Sequence, residues 1–251
     1  MGDATGITAS CLADVLGELV TLTQAERRAL GRLEERQRSV RRGAALQREN
    51  EPAGELFVVR RGLLMSYVLL ADGSRQILRF LFPGDLIGVP GIIYREAPET
   101  IAALSDCVVC PFERHALSDL MRDHPRLAAM ILAFSQIERV ALTDRLAALG
   151  RTSAKARVAA LLIDLRNRLR ITDKSIDCSY PLGLTQEEIG DAVGLTAVHV
   201  NRMLRQLEEE GLIAREAGRV TLKDLRALTH AANYVNRYEG LDLGWLTAPR
   251  S

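Results

Sequence analysis

Short apolar runs dominate the chain from about residue 38 to residue 112, and turn residues separate them at spacings of roughly 8 to 12 residues. The apolar runs are residues 55–60, 63–70, 76–82, 101–104 and 108–112. The turn signals between them are Arg61-Gly62, Asp72-Gly73 and Pro83-Gly84-Asp85. Short strands joined by tight turns predict an antiparallel β-barrel or sandwich.

Helical spacing appears on both sides of this region. Upstream, Thr23 followed by Glu26 is a capping-box pattern, which predicts a helix that continues through Leu33. Downstream, residues 116–150 carry apolar residues at spacings of three and four, so we expect one long helix there. Its first apolar stripe is Leu127, Met130, Phe134, Ile137 and Ala141, and its second is Ile131, Leu142, Leu146 and Leu149.

A helix with two apolar faces needs two partners. We expect one partner to be the β-domain of the same chain and the other to be the same helix of a second subunit, packed as a short coiled coil. The first stripe is assigned to this dimer seam, and a helix covered on both sides within one chain is the alternative. A hinge follows at residues 151–153, where Thr152 or Ser153 can cap a helix that ends near Leu169.

Residues 185–204 have the pattern of two short helices around a tight turn. Thr185 and Glu188 form a second capping box, and Thr196 can cap the second helix. Gly190 lies where crossing helices approach closely, and Gly194 permits the positive φ that ends the first helix. The predicted buried side consists of Ile189, Val193, Leu195, Val200 and Met203. The segment predicts a DNA-binding helix-turn-helix, the alternative being an ordinary helical hairpin with a polar face.

The outer face of the second helix carries residue types that read bases in a major groove. Arginine can bond guanine, asparagine can bond adenine, and small apolar side chains can contact a thymine methyl group. Residues 214–222 predict a β-hairpin that turns at Ala217-Gly218, so the motif is a winged helix whose arginines can reach phosphates. The candidate DNA-binding residues are Thr185, Gln186, Thr196, Ala197, Val198, Asn201, Arg202, Arg205, Arg215 and Arg219.

Composition narrows the class of protein without identifying it. A chain of 251 residues with 47% apolar and 26% charged residues suits two packed domains. A net charge of +1 means that any DNA-binding surface is local, and the chain has no window apolar enough for a membrane span. We expect a cytoplasmic protein with no membrane contact. No nucleophile and base occur at a recognisable spacing, so we expect no enzymatic activity and no catalytic residue.

With the segment Phe82-Pro83-Gly84-Asp85-Leu86-Ile87-Gly88, the long helix and the winged helix-turn-helix, the sequence resembles the Crp/Fnr family of bacterial transcription regulators. The resemblance implies an α+β fold with a jelly-roll-like antiparallel β-roll, similar to a cyclic-nucleotide-binding domain, over residues 1–115. A dimerisation helix over 116–150 and a winged helix-turn-helix domain over 151–251 follow. It also implies a homodimer that binds two-fold-symmetric double-stranded DNA and an activator that contacts RNA polymerase.

The chain departs from the cofactor- and nucleotide-binding members of that family. Val89-Pro90 follows Gly88 where cyclic-AMP-binding members have a glutamate, and Glu99 lies where they have a phosphate-binding arginine. The oxygen-sensing branch clusters three cysteines near the N-terminus, where this chain has only Cys11. We expect no cyclic-AMP control, no cofactor and no metal site. Cysteine-based redox or metal sensing, through Cys11, Cys107, Cys110 or Cys178, and a signalling module that acts through protein partners are the alternatives.

Overall fold

The computed structural model describes residues 10–246. The chain divides into two compact units: the first contains the described residues up to Leu64, Leu81–Gln136 and those from Asp242, and the second contains Met65–Phe80 and Ile137–Leu241. The sequence had placed the whole β-region in one domain, whereas residues 65–80 group with the second unit. There, Arg75 forms an ion pair at 2.7 Å with Asp191.

Two short helices precede the strands. Helix α1 (Cys11–Leu19) was not predicted, and it begins at Ser10, whose hydroxyl accepts a hydrogen bond from the backbone N–H of Ala13. Helix α2 (Gln24–Arg32) begins with the predicted capping box, because the hydroxyl of Thr23 accepts from the backbone of Glu26 and the carboxylate of Glu26 accepts from the backbone of Thr23. The capping-box prediction is confirmed.

The β-region consists of eight strands in two four-stranded sheets. The strands are β1 (Arg38–Val40), β2 (Ala45–Gln47), β3 (Leu56–Arg61), β4 (Leu64–Leu69), β5 (Arg75–Leu81), β6 (Leu86–Ile87), β7 (Thr100–Ala103) and β8 (Cys107–Phe112). Their orders are β1-β8-β3-β6 and β2-β7-β4-β5. The five predicted runs are all strands, and the pairs β1–β8, β3–β8, β3–β6 and β2–β7 are antiparallel as expected. The three missed strands have two or three residues each, too few for a periodic signal.

A small apolar core lies between these strands. Its buried members are Val40, Phe57, Val59, Leu64, Leu81, Ile87, Ile101, Ala103, Cys107 and Val109. Gly84, in the turn between β5 and β6, has φ +89°, and a Cβ there would lie 2.3 Å from Cγ2 of Val15. The glycine therefore allows both the turn and the close approach of α1. A 3₁₀ turn over Val89–Ile92 follows β6.

The predicted long helix is two helices, α3 (Arg114–Asp123) and α4 (Pro125–Arg151). The prediction of one helix over residues 116–150 was wrong at His124, which has φ −132° and ψ 71°. Proline disfavours helical backbone in the residue before it, so the chain breaks before Pro125 and a new helix begins. Neither helix, nor any other within residues 10–246, is long and apolar enough to cross a membrane.

The C-terminal helices and strands follow the expected order. Ser153 caps α5 (Ala154–Thr172) by accepting from the backbone of Ala156, as predicted for the hinge. The remaining elements are β9 (Ser179–Pro181), α6 (Gln186–Val193), α7 (Ala197–Glu209), β10 (Ile213–Glu216), β11 (Arg219–Leu222) and α8 (Leu225–Ala232). The hairpin β10–β11 turns at Ala217 and Gly218, which both have positive φ, as the sequence predicted.

The segment after α8 forms a polar network with α4 and α5 in the second unit. Arg168 of α5 is buried and donates to Glu138 of α4 at 3.0 Å and to the hydroxyl of Tyr238. The hydroxyl of Tyr238 in turn donates to Glu138. Nη2 of Arg237 donates to Asp144 of α4 at 2.9 Å. Charged side chains from three elements therefore satisfy one another here.

Candidate nucleic-acid interface

Two capped helices and a tight turn build the candidate DNA-binding motif. The carboxylate of Glu188 accepts from the backbone N–H of Thr185 at 2.7 Å, and the hydroxyl of Thr185 accepts from the backbone of Glu188 at 3.1 Å. The hydroxyl of Thr196 accepts from the backbone of His199 at 3.3 Å and caps α7. The predicted capping box and cap are present, and they hold the starts of α6 and α7.

Two glycines allow the turn between these helices. Gly194 ends α6 in the left-handed conformation, with φ 66° and ψ 47°. A Cβ at Gly190 would lie only 2.3 Å from the carbonyl oxygen of Leu195, so no larger residue fits without a shift of the backbone. Gly194 has the role that the sequence predicted. Gly190 allows a close approach as predicted, but of the turn backbone at Leu195 rather than of the second helix.

The inner face of the motif is apolar. Ile189, Val193, Val200 and Met203 are buried, as expected. Leu195, the fifth predicted core residue, is only half-buried, whereas Leu204 and Leu207 are buried although they were not among the predicted five. Leu195 lies in the turn, where the chain passes over the surface, and this explains the difference.

The outer face of α7 is exposed and carries cations without acids in its first turns. Val198 is 82% exposed, and Arg202 and Arg205 are exposed. Ala197 and Asn201 are half-buried on the same helix. The first turn of α7 contains no acidic residue, and the acidic residues of this helix are Glu208 and Glu209 at its end. The positive end of the helix dipole and the two arginines give this face a positive potential, which favours an anionic ligand.

Two side-chain contacts order this face. Nη2 of Arg202 lies 2.9 Å from Nε2 of His199. Nε2 of Gln186 on α6 donates to Oδ1 of Asn201 at 3.4 Å. His199 was missing from the predicted site, although its position three residues before Arg202 places the two side chains next to each other on a helix.

The wing has three strands, and its two arginines make different contacts. The sheet order is β10-β11-β9, and β9 was not predicted. Arg219 is exposed and donates to the hydroxyl and the carbonyl oxygen of Ser179 at 3.2 and 3.0 Å. Arg215 instead forms an ion pair with Glu208 at 2.7 Å. This hydrogen bond lowers the pKa of Glu208, so the pair stays charged and the guanidinium of Arg215 has a partner within its own chain.

Comparison with known proteins places this motif in a family. Models for the cyclic nucleotide-binding domain and the Crp-like helix-turn-helix domain match residues 37–124 and 156–231. The chain is 35% identical over 182 residues to the nitrogen fixation regulation protein FixK of Azorhizobium caulinodans, and the match covers 72% of each chain. The chain belongs to the Crp/Fnr family. It is therefore a transcription regulator with a DNA-binding helix-turn-helix.

Other members of the Crp/Fnr family agree with this assignment. The transcriptional activatory protein AadR of Rhodopseudomonas palustris is 34% identical over 171 residues, which are 67% of this chain and 70% of AadR. The solved structure of FixK2 from Bradyrhizobium japonicum matches with a TM-score of 0.70 and 29% identity, over 78% of this chain and 96% of that chain. The predicted fold class, an antiparallel β-region followed by a long helix and a helix-turn-helix, is confirmed.

In this Crp/Fnr protein, the apolar stripe assigned to the dimer seam is buried within the chain. Leu127, Met130, Phe134 and Ile137 are between 0% and 8% exposed, and Ala141 is half-buried. Side chains that are already covered have little surface left for a partner, and this argues against the predicted assignment of the stripe to the seam. The exposed large apolar residues of α4 are Leu132, Leu142 and Leu146, at 59%, 41% and 71%. Two of these three belong to the second predicted stripe.

The four cysteines of this Crp/Fnr protein form no disulfide within residues 10–246. Burial raises the pKa of Cys11 and of Cys107, and it raises the pKa of Cys110 to about 11. A thiol with a raised pKa is a weak nucleophile and a weak metal ligand. Among residues 10–246, no three histidine, cysteine or acidic side chains gather into a metal-binding group. The described residues therefore do not fit the iron–sulfur cluster of the oxygen-sensing branch.

Proposed function

We propose that this regulator binds two-fold-symmetric DNA as a homodimer, with α7 of each subunit in the major groove, and that it activates transcription by contacting RNA polymerase. The observation that carries the proposal is the outer face of α7, where Val198, Asn201, Arg202 and Arg205 line a surface without acids in its first turns. A helix with such a face fits the width of the major groove, and its side chains can bond base edges.

The candidate DNA-binding residues have two proposed roles, the reading of bases and the binding of phosphates. Arg202 lies on the second turn of α7, where its guanidinium can bond O6 and N7 of one guanine per half-site. Val198 can contact a thymine methyl group, and Asn201 can bond an adjacent base. Thr185, Gln186, Thr196 and Ala197 lie at the starts of α6 and α7, where backbone N–H groups and short side chains can bond phosphates. Arg219 on the wing is assigned to a phosphate.

Arg215 contributes less than the sequence suggested. Its ion pair with Glu208 neutralises its charge, and a phosphate would have to compete with a carboxylate at 2.7 Å. Arg205 is exposed and lies one turn beyond Arg202, so it replaces Arg215 as the second strong cation of the interface.

The homodimer is proposed to form through the exposed stripe of α4. Leu142 and Leu146 lie four residues apart, and Leu132 lies ten residues before Leu142, so the three share one face with the spacing of a coiled coil. An exposed apolar stripe on a long helix is costly in water, and a second copy of the same helix buries it with two-fold symmetry. Symmetric half-sites in the DNA then follow from the symmetry of the protein.

The activator role is supported by the names of two relatives, the transcriptional activator protein Anr of Pseudomonas aeruginosa and the activatory protein AadR of Rhodopseudomonas palustris.

We propose that control does not use cyclic AMP. Glu99 is 9% exposed, and a buried carboxylate at this position repels a cyclic phosphate.

Substitution of Arg202 tests the DNA-binding mode. A preferred duplex is first selected from a random pool, and affinities for this duplex and for scrambled DNA are measured across a salt series. Arg202→Ala should cost about 1 to 3 kcal/mol per half-site at one base pair only. Arg219→Ala, the matched control, should weaken binding to all sequences alike and lower the salt slope by about one phosphate. An equal loss for both duplexes with Arg202→Ala would contradict the proposed base contact.

Sedimentation of a charge variant tests the dimer. The double variant Leu142→Glu and Leu146→Glu places four like charges in the seam of a dimer, so it should sediment as a folded monomer and lose affinity for the symmetric site. Phe134→Glu is the matched control, and it should unfold the protein because Phe134 is 8% exposed. A double variant that remains dimeric at low micromolar concentration would overturn the proposed seam.

A further inference from the structure

We propose that His199 is a positioning residue, which as a neutral imidazole orients the guanidinium of Arg202 for reading its base. This inference rests on the proposed function of α7. His199 lies in the first turn of α7, and Nε2 of its ring lies 2.9 Å from Nη2 of Arg202. The two residues are three apart, so the helix itself places their side chains together.

The chemistry of the two groups sets the state of the imidazole. A guanidinium has only donors, so Nε2 of His199 must accept the hydrogen bond. This contact requires an uncharged ring with its proton on Nδ1, because a protonated imidazole would donate from both nitrogens. The contact therefore holds Arg202 without cancelling its charge.

The uncharged partner distinguishes Arg202 from Arg215. Arg215 is held by the carboxylate of Glu208, which orients the guanidinium but also neutralises it. A free arginine loses rotamer entropy when it is fixed against a base. His199 reduces this loss in advance, and the remaining N–H groups of Arg202 stay available for O6 and N7 of guanine.

The consequence for DNA binding is selective. A restrained guanidinium improves bidentate bonding to the matching base, whereas bonding to a phosphate makes fewer geometric demands. His199 should therefore contribute to the discrimination between sequences, with little effect on the affinity for scrambled DNA.

Three variants of the full chain test this inference. His199→Leu removes the acceptor and should lower the preference for the selected duplex about 3- to 10-fold per half-site, as expected for the loss of one hydrogen bond. His199→Gln offers an amide oxygen as acceptor and should restore most of the preference. Gln206→Leu removes the contact of Gln206 with Glu210 at the far end of α7, and it should leave the preference unchanged. Thermal unfolding of each variant checks that the fold is retained.

A double-mutant cycle separates this inference from the proposed function. With Arg202→Ala present, His199→Leu should have no further effect on discrimination, because the group that it orients is gone. If Arg202→Ala relaxes the preference at one base pair but His199→Leu does not, the positioning role is wrong and the reading role of Arg202 stands. If His199→Leu weakens binding to all sequences alike, or if His199→Gln fails to restore the preference, the positioning role is also overturned. If Arg202→Ala itself does not lower the preference for the selected duplex, the proposed base contact of Arg202 is wrong, and the positioning role of His199 is wrong with it.

Discussion

Two charged regions of the second unit contrast with each other. In the network of α4, α5 and the segment after α8, Arg168 is 6% exposed and bonds Glu138 and Tyr238. On the outer face of α7, Arg202 is exposed, and the partner shown for it is the imidazole of His199. The same residue type therefore bonds a carboxylate in one region and an imidazole in the other.

The difference separates stability from binding. Buried charges that pair with one another are part of the folded core, and removal of one leaves its partner buried and unpaired, which destabilises the protein. Charges that face water without acidic partners contribute little to folding and remain available to an anionic ligand. We therefore expect substitutions in the network to change the free energy of unfolding and substitutions on α7 to change DNA affinity.

The largest expected effect is that of Arg168→Ala. This change leaves the carboxylate of Glu138 and the hydroxyl of Tyr238 without their shared donor, and it should lower the free energy of unfolding by about 3 to 5 kcal/mol. Arg170→Ala, on an exposed position of the same helix, is the control and should change it by less than about 0.5 kcal/mol. Urea denaturation measures both. If the two variants were equally stable, the network would not be a stabilising element.

A smaller effect is expected from Asp164→Asn, and it should depend on pH. Burial raises the pKa of Asp164, and the hydroxyl of Tyr234 donates to its carboxylate at 3.3 Å. A group whose pKa is raised in the folded state adds stability below its unfolded pKa of about 3.9, and this contribution is lost as the pH rises through the folded pKa.

The asparagine variant should therefore gain stability relative to the wild type as the pH rises above about 3.9 and through the raised pKa of Asp164, by roughly the amount that the carboxyl loses. Denaturation midpoints of both proteins at several pH values measure this difference in stability. A wild type that gains stability relative to the variant as the pH rises would contradict the assigned direction of the pKa shift.

The smallest effect on folding is expected for Arg205→Ala. Arg205 is exposed on α7, so the free energy of unfolding should change by less than about 0.5 kcal/mol. The affinity for all DNA should nevertheless fall, with a salt slope lower by about one charge if the side chain binds a phosphate. Thermal unfolding and binding titrations on the same sample test the contrast directly. A marked loss of stability would show that the two regions do not differ as described.

Local interactions explain what the sequence by itself determined. The capping boxes of Thr23 and Thr185, the left-handed Gly194 and the turn at Gly218 depend on residues within a few positions of one another. Their pattern is visible in the chain because each uses a short-range hydrogen bond or a backbone conformation that few residues adopt. The helix-turn-helix, and with it the class of protein, was predictable for this reason.

Long-range packing explains what only the tertiary structure decided. Both apolar stripes of α4 have helical spacing, and the spacing does not say which stripe faces the protein's own core. In the structure, Leu127 and Phe134 of the first stripe are buried, whereas Leu142 and Leu146 of the second are exposed. Likewise, the third strand of the wing and the pairing of Arg215 with Glu208 join elements that the pattern of either element alone does not connect. Contacts of this kind depend on how separate elements meet, and periodicity within one element carries no information about its neighbour.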